Sequence, residues 1–458
     1  MRALLPILLI ATPALADPAA TLHSRLPAGA RAGLLVVDEG GREIVAVDPD
    51  GRYIPASNTK LFTTAAAYAT LPVDAPDDSG GASVRLEGGD VILAGHGDAR
   101  LSSAPDCRAD CLATLADAVA AVARRVRDVV GDDSAFPDER WSPGMSWNNI
   151  PTRSGTGISA LTLDDNEAVV TVTQAGVTSG YFAIDNHVVP GARTSIDATR
   201  MPGERSLRLD GTIAPGGEEQ LRVGIDDPAH HAAWRLKTLL EARGVRVTGG
   251  VQVRHRRLVA ADDPAVRGTA PAARPPEPPV LARLTPPPLA EDIALTNKVS
   301  QNLHAELLLR RLGAVDGTGS IADGRAKVAA TLVQAGAPRA GWDFADGSGM
   351  SSYNRVSPRA GVALLRWAAA QPWGAAWRAT LPIGGLDGTL KRRFAGTALA
   401  GKIFAKTGTL SATSALSGYL IAASGRVLTF SSFVNDVTEG QSGTAAVDAT
   451  LVEVAADN

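Results

Sequence analysis

Apolar and polar positions alternate along RAGLLVVDEGGREIVAVDPD, residues 31–50, around a Glu-Gly-Gly turn. A period of two predicts the two strands of a β-hairpin. The pattern then changes. TKLFTTAAAYATL, from Thr59, is small or apolar on nearly every side and predicts a buried helix. From about residue 80 to 288, short apolar runs alternate with glycines and turn residues, as in GGDVILAGHGD, LDDNEAVVTVTQAG, SLRLDGTIAPGG and GVRVTGGVQVRH. Two helical patterns interrupt these strands, CLATLADAVAAVARRV and PAHHAAWRLKTLLEARG. TAPAARPPEPPVLARLTPPPLAED ends the region, because its prolines can continue neither a helix nor a central strand. Beyond it, LTNKVSQNLHAELLLRRLG and RAKVAATLVQAG carry apolar residues at helical spacing. KIFAKTGTL and the two halves of SALSGYLIAASGRVLTFSSFVND read as strands, and TAAVDATLVEVAAD as a closing helix. The two ends of the chain are therefore expected to build one domain around a long α+β insertion. No internal repeat is evident.

Length and charge narrow the function. At 458 residues the chain has room for two or three domains. A formal net charge of −3 argues against nucleic-acid binding, which needs a basic face. The first residues, MRALLPILLIATPALADPAA, place one arginine before a short apolar run and a small-x-small site at Ala14-Leu15-Ala16. This predicts a signal peptide over 1–16 and a mature chain starting at Asp17. No later run reaches about 18 uninterrupted apolar residues, so no transmembrane anchor is expected and the exported protein is expected to be soluble and periplasmic. Cys107 and Cys111 are the only cysteines. In an oxidising compartment such a pair tends to bond, and one helical turn would bring the two within disulfide range. Two thiols alone supply too few ligands for a metal. The pair reads as structural.

Lysine is scarce. Among 45 basic residues, only positions 60, 237, 298, 327, 391, 402 and 406 are lysine. Arginine cannot lose its proton in a protein, whereas a desolvated lysine can act as a base. A retained lysine can therefore mark a place where arginine fails. Lys60 lies three residues after Ser57 in IPASNTKLFTTAAA. Residues three apart share a helix face, so the amine can reach the hydroxyl and supply the base that a serine nucleophile needs. Two more short motifs follow, Ser300-Gln301-Asn302 and Lys406-Thr407-Gly408-Thr409, the latter on a predicted strand. Gly408 would leave room for a substrate backbone along that strand edge. Together and in this order they form the serine acyltransferase set of penicillin-binding proteins and class A β-lactamases. Taken singly, each has an ordinary reading. Ser57 could cap a helix, Ser300 and Asn302 could be turn residues, and Lys406 could be an edge-strand lysine.

Other motifs fail on inspection. GTALAGKI has Ile403 after Lys402, where a phosphate loop needs Ser or Thr. DGSGMSSYN lacks the glycine two residues before Ser348 that a nucleophile elbow needs. The histidines show no H-E-x-x-H spacing, and His304 reads as a packing or surface residue of its helix. No metal or nucleotide cofactor is implied.

The chain resembles the D-alanyl-D-alanine carboxypeptidase/endopeptidases of the penicillin-binding protein 4 type, the low-molecular-mass class C penicillin-binding proteins. ADGSGMSSYNRVSP, LPIGGLDGTLKRRF and AGKIFAKTGTL match segments of that family, as does the gap of about 240 residues between Lys60 and Ser300. The resemblance covers essentially the whole mature chain. It implies a serine β-lactamase/transpeptidase-like α/β (α+β) fold, an antiparallel sheet flanked by helices. The catalytic domain would comprise residues 17–84 and 286–458. One inserted domain would span 85–170 and 222–285, and a second 171–221. Two departures are visible. Gln301 stands where aspartate is common, which should matter little because that residue faces away from the reaction. Ser352 stands where arginine is frequent, near the place for the carboxylate of a substrate side chain, which bears on the third residue of the peptide stem.

The resemblance also implies roles. Ser57 would attack the penultimate D-alanine carbonyl, with Lys60, held neutral by desolvation and a second cation, as its base. Ser300 would pass a proton to the leaving amine, and Asn302 would hold the peptide. Lys406, Thr407 and Thr409 would bind the terminal carboxylate. Lys406 would need only to be a cation that fits its place, so Lys406→Arg should do less harm than Lys60→Arg, mainly through misfit of the larger fork. Asp164, in LTLDDNEAVV, would meet the amine of a diaminopimelate side chain, or else sit in an ordinary β-turn. Expected partners are peptidoglycan stems and cross-links, with β-lactam antibiotics as covalent inhibitors. A β-lactamase or esterase of the same fold, and a penicillin-binding scaffold without turnover, are the alternatives. The long insertion and the absence of a deacylating glutamate motif speak against the first, and the intact motifs against the second.

Overall fold

A computed structural model describes residues 17–268, 270–273 and 276–458. The expected signal peptide, 1–16, lies outside the described residues. No described helix is long and apolar enough to cross a membrane.

One sheet joins the two ends of the chain. Its five antiparallel strands run in the order Ile403–Leu410, Thr413–Ile421, Val427–Asn435, Arg31–Val37 and Glu43–Val47. The seam between first and last parts is continuous, from Arg31 opposite Asn435 to Val37 opposite Thr429. Both faces are covered, which is why Arg31–Val37 and Val427–Asn435 are buried almost throughout rather than at alternate positions, Thr429, Ser431 and Ser432 included. On one face Leu22, Leu34, Val36, Phe430, Leu451 and Val454 pack together, beneath the first helix, Pro18–Arg25, and the last, Thr444–Asp457. On the other, Leu61, Phe62, Ile293, Leu309, Leu364 and Phe433 form a larger core. Each buried Leu or Phe there contributes about 1.5–3 kcal/mol. The helix Thr59–Thr70 runs through that core and is buried from Thr59 to Tyr68, as its all-round apolar sequence predicts. This is the antiparallel, helix-flanked α/β architecture expected from the sequence.

Between the two parts lies a second five-stranded sheet, ordered Val251–Arg256, Val129–Pro137, Asp90–Ala94, Ser83–Glu87 and Ala282–Arg283. The helices Leu112–Val122 and Pro228–Ala242 bury Leu115, Val119, Leu236 and Leu240 against it. Two three-stranded sheets, within residues 167–224, share a smaller core around Val170, Phe182, Leu207 and Leu209.

Two local expectations need correction. Helical spacing across LTNKVSQNLHAELLLRRLG hides a break. The helix Leu289–Lys298 ends, and Asn302–Gly313 starts anew with the Gln301 side chain accepting from Leu303 N. Ser300 sits between them with φ +66°, a conformation that cannot propagate a right-handed helix. The cysteine segment is not helical either. Cys111 is extended and precedes Leu112–Val122, and Asp110, at φ +59°, reverses the chain. Cys107 and Cys111 are bonded across that turn with Cα atoms 5.8 Å apart.

Candidate active site

Residues Ala56–Asn58 form a single 3-10 turn leading into Thr59–Thr70. Ala56 has φ +48°, costly for a residue with a Cβ. Two glycines hold the turn in place. A Cβ on Gly349, itself at φ +89°, would fall 1.9 Å from Ala56 O, and one on Gly408 would fall 2.5 Å from Pro55 O and 3.1 Å from Asn58 N. Gly408 thus has a role that its strand position alone does not disclose. Besides any room for substrate, it lets the strand lie against the serine's own turn. Asn58 completes the link, its Nδ2 donating to Lys406 O at 2.8 Å.

Lys60 is the second residue of the helix, and its Nζ donates to Ser57 Oγ at 3.0 Å, Asn302 Oδ1 at 2.7 Å and Ser348 O at 2.6 Å. It is fully buried. Burial lowers its pKa to about 7, against the opposing pull of Asp346 and Glu306. Ser57 caps nothing, since no side chain caps this helix start.

The break at Ser300 brings the second motif to the third. Lys406 Nζ donates to Ser300 Oγ at 2.9 Å and to Thr407 O at 3.0 Å. Lys406 is also fully buried. Burial first, and then the charge of Lys60, push its pKa well down. The expectation that charge and fit alone decide what serves at 406 therefore gains a further condition, burial. A guanidinium here would be larger, always charged and without a carboxylate partner. Ile403–Leu410 is the edge strand of its sheet; Gly384 N donates to Ile403 O and Ala405 N to Pro382 O, so the outer side left for an extended peptide is that of Lys406–Leu410. Thr407 Oγ1 donates to Thr389 Oγ1 at 2.8 Å, and Thr409 is exposed. Asn302 is engaged at both ends of its amide, by Lys60 and, through Nδ2, by Ser154 O at 2.9 Å. The second of these bonds reaches into the inserted region.

Two carboxylates beneath Lys60 escaped the sequence reading. Glu306, four residues after Asn302 and on the same helix face, accepts from Gly347 N at 3.0 Å and Ser348 N at 2.8 Å. Burial and the neighbouring Asp346 push its pKa up to about 7. Asp346 accepts from Gly349 N, Ser351 N and Asn354 Nδ2. Together they shape the DGSGMSSYN loop so that Ser348 O faces Lys60. The four-residue spacing of Asn302 and Glu306 was the one available signal.

Other candidates lie elsewhere. Asp164 is not joined to this cluster. Its Oδ1 accepts from Ser103 N at 2.8 Å and Ser102 Oγ at 3.1 Å, and its Oδ2 accepts from Ser103 Oγ at 2.6 Å. The next residue, Asp165, makes the contact that matters, accepting from His304 Nε2 at 2.9 Å. His304 is accordingly neither a surface residue nor an apolar packing residue but a buried, charged one. Ser352 N and Oγ both donate to Gly144 O, at 2.9 and 3.0 Å, so its hydroxyl is spent on the inserted region.

A family model, the D-Ala-D-Ala carboxypeptidase 3 (S13) family, matches residues 17–457. The chain belongs to this family. It is 34% identical to a D-alanyl-D-alanine carboxypeptidase of Actinomadura sp. (strain R39), over 99% of this chain and 88% of that protein. It is 24% identical to the D-alanyl-D-alanine carboxypeptidase DacB of Haemophilus influenzae, over 94% and 91% of the two chains. The crystal structure of penicillin-binding protein 4 (dacB) from Haemophilus influenzae superposes with a TM-score of 0.76 at 22% identity, covering 95% of this chain and 96% of that one. That likeness speaks to the fold. The resemblance read from the motifs thus stands, and with it the enzyme class, a D-Ala-D-Ala carboxypeptidase.

Proposed function

We propose that the enzyme cleaves peptidoglycan peptides through a covalent ester on Ser57. The observation that carries this reading is the 3.0 Å contact between Lys60 Nζ and Ser57 Oγ, inside a cluster that also gathers Ser300, Asn302 and Lys406. A neutral Lys60 keeps two N–H groups for Asn302 Oδ1 and Ser348 O and turns its lone pair to the Ser57 hydroxyl. Its pKa of about 7 supplies that neutral form near neutral pH. Ser57 Oγ bonds to the penultimate D-alanine carbonyl as Lys60 takes its proton. Backbone N–H groups of Ser57 and Thr409 receive the oxyanion, each donor being worth about 3 kcal/mol. The C–N bond then breaks. Ser300 passes the proton to the departing amine, and water later releases the acyl group and regenerates the hydroxyl. Lys406, Thr407 and Thr409 receive the terminal carboxylate of the substrate, whose negative charge raises the pKa of Lys406 so that its amine takes up a proton from solvent.

When the bond attacked is a cross-link, the same steps are endopeptidase activity, and a β-lactam ring in place of the peptide leaves a stable acyl-enzyme. The signal-peptide pattern and the bonded cysteines support action in an oxidising, periplasmic space. Mass spectrometry of cross-linked muropeptides after incubation with enzyme tests the substrate, and labelling of Ser57 by fluorescent penicillin tests the intermediate. Neither terminal D-alanine nor a cross-link released, with no label on Ser57, would remove the reading.

A further inference from the structure

Ser300 and Asn302 depend on a turn that neither flanking helix would form by itself. Ser300 holds a left-handed φ of +66°. Such a residue persists only where its surroundings over-determine it. His304 sits where it can do this. It lies on the first turn of Asn302–Gly313, 2% exposed. Its Nε2 donates to Asp165 Oδ1 at 2.9 Å. Its Nδ1 lies 3.3 Å from Asp292 Oδ1, off the line of a hydrogen bond but well within an ion pair. Asp292 belongs to Leu289–Lys298, the helix that enters the turn. Asp165 belongs to the inserted region, in a run where Asp164, Asp165 and Asn166 all have left-handed φ, of +50°, +56° and +50°. Three such residues without glycine are strained. Asp164 and Asn166 spend their side chains holding that run, on Ser102, Ser103, Leu163 N and Gly157 O. Of the three, Asp165 points its carboxylate at the helix Asn302–Gly313.

We propose that His304 is a positioning residue for acyl transfer, a doubly paired imidazolium that ties both arms of the Ser300–Asn302 turn to the inserted region; this rests on the acyl-serine reading above. The cation matters because a neutral imidazole has one N–H for two carboxylates. Burial lowers the pKa of His304, but the contacts to Asp165 and Asp292 outweigh it and hold the ring at about 9. The charged groups around the pair act through the two carboxylates. Arg100 stands 3.8 Å from Asp292, Asp98 and Asp110 share its surroundings, and Arg153 and Arg222 favour ionised Asp165. Lys60 reaches the same turn through Asn302. Below a pH of about 9 the clamp is closed. Above it, one carboxylate faces a lone pair and the turn loses a tie.

The test is the rate of penicillin acylation of Ser57 from roughly pH 6 to pH 11, spanning both titrations. It compares wild type, His304→Gln, Asp165→Asn and the double variant. Wild type should rise through about 7 and fall through about 9. His304→Gln should run about 10-fold slower on the plateau, as a small misplacement costs, and lose the alkaline fall. Asp165→Asn keeps the imidazole but removes one partner, so its fall should move to lower pH by about a unit. The double variant should match His304→Gln. An unchanged alkaline fall in His304→Gln, or in Asp165→Asn should His304→Gln not fold, overturns the clamp while leaving the acyl-serine reading intact. A wild type never acylated at Ser57 overturns that reading, and the clamp with it.

Discussion

Lys60 and Lys406 are both fully buried, and neither ammonium is hydrogen-bonded to a carboxylate among the described residues. Each proton on one opposes a proton on the other. Burial is the larger force on both, and the charge of Lys60 adds to it at Lys406. The pair is therefore poised to hold less than its full charge, and a carboxylate received at Lys406, as proposed, would change the balance. A guanidinium at either place could not give up its proton to relieve that opposition.

The first prediction concerns that pair. Lys60→Arg cannot supply a base, so acylation should fall by about 10²–10⁴-fold. Lys406→Arg should also lose much of the rate, through misfit and a buried, permanent charge. The pH profiles separate the two. Wild-type acylation should rise with an apparent pKa of about 7. Lys60→Arg should lose that rise. Lys406→Arg should keep it and shift it to lower pH, because a fixed cation nearby disfavours protonated Lys60. Acylation rates measured against pH decide it, and Lys60→Arg acylating at nearly the wild-type rate would sink the base assignment.

Gly408→Ala tests the packing of the serine turn. The added Cβ would lie 2.5 Å from Pro55 O, where only backbone can yield. Stability should fall by about 1–3 kcal/mol, as overpacking does. Acylation should fall more than stability explains, by up to about 10²-fold, because displacement acts directly on Ser57. Denaturant midpoints and labelling rates on the same samples check both. A folded variant with the wild-type rate would mean that Gly408 serves only the substrate.

The parts of this site that were legible in the sequence are those set by local spacing. Ser57 and Lys60 come together because they are three apart, and the Glu-Gly-Gly turn marks the hairpin that begins at Arg31. What stayed hidden depends on tertiary partners. Apolar spacing runs straight through Val299–Gln301, and only contacts such as Lys406 on Ser300 and His304 on Asp292 accompany the break there. Asp164 and Asp165 are chemically identical neighbours. The left-handed turn decides which of them faces the helix Asn302–Gly313, and nothing in a period of two or 3.6 encodes that.

The disulfide should contribute little to the fold. Its loop joins Cys107 to Cys111 across a separation of four residues. Closing so short a loop stabilises by about 2 kcal/mol in the chain-entropy model. Cys107→Ser with Cys111→Ser should lower the melting temperature by a few degrees and leave acylation unchanged. A large loss of acylation would show that the loop supports the site through Asp110.

Asp110 and Asp98 give the last prediction. Both carboxyls are buried, and three of their four oxygens lack a partner unless a proton lies between them. Asp98 Oδ1 accepts from Arg100 N at 2.8 Å, which leaves Oδ2 to hold the proton that Asp110 accepts. Burial, followed by Asp110, pushes the pKa of Asp98 well up. The folded-state pKa is thus raised above the unfolded value. The proton's stabilisation is fully present below the unfolded pKa and is lost as pH rises through the folded one. At higher pH two carboxylates face each other in a buried place. Asp98→Asn keeps the Oδ1 acceptor for Arg100 N and offers a permanent N–H to Asp110. It should therefore gain stability relative to wild type as pH rises, by about 1–3 kcal/mol, the cost of a buried unsatisfied group. Below the unfolded pKa of about 4 the difference should vanish. Melting temperatures of both proteins from acid to mildly alkaline pH measure it. A constant difference across that range would mean that no shared proton holds the two carboxyls together.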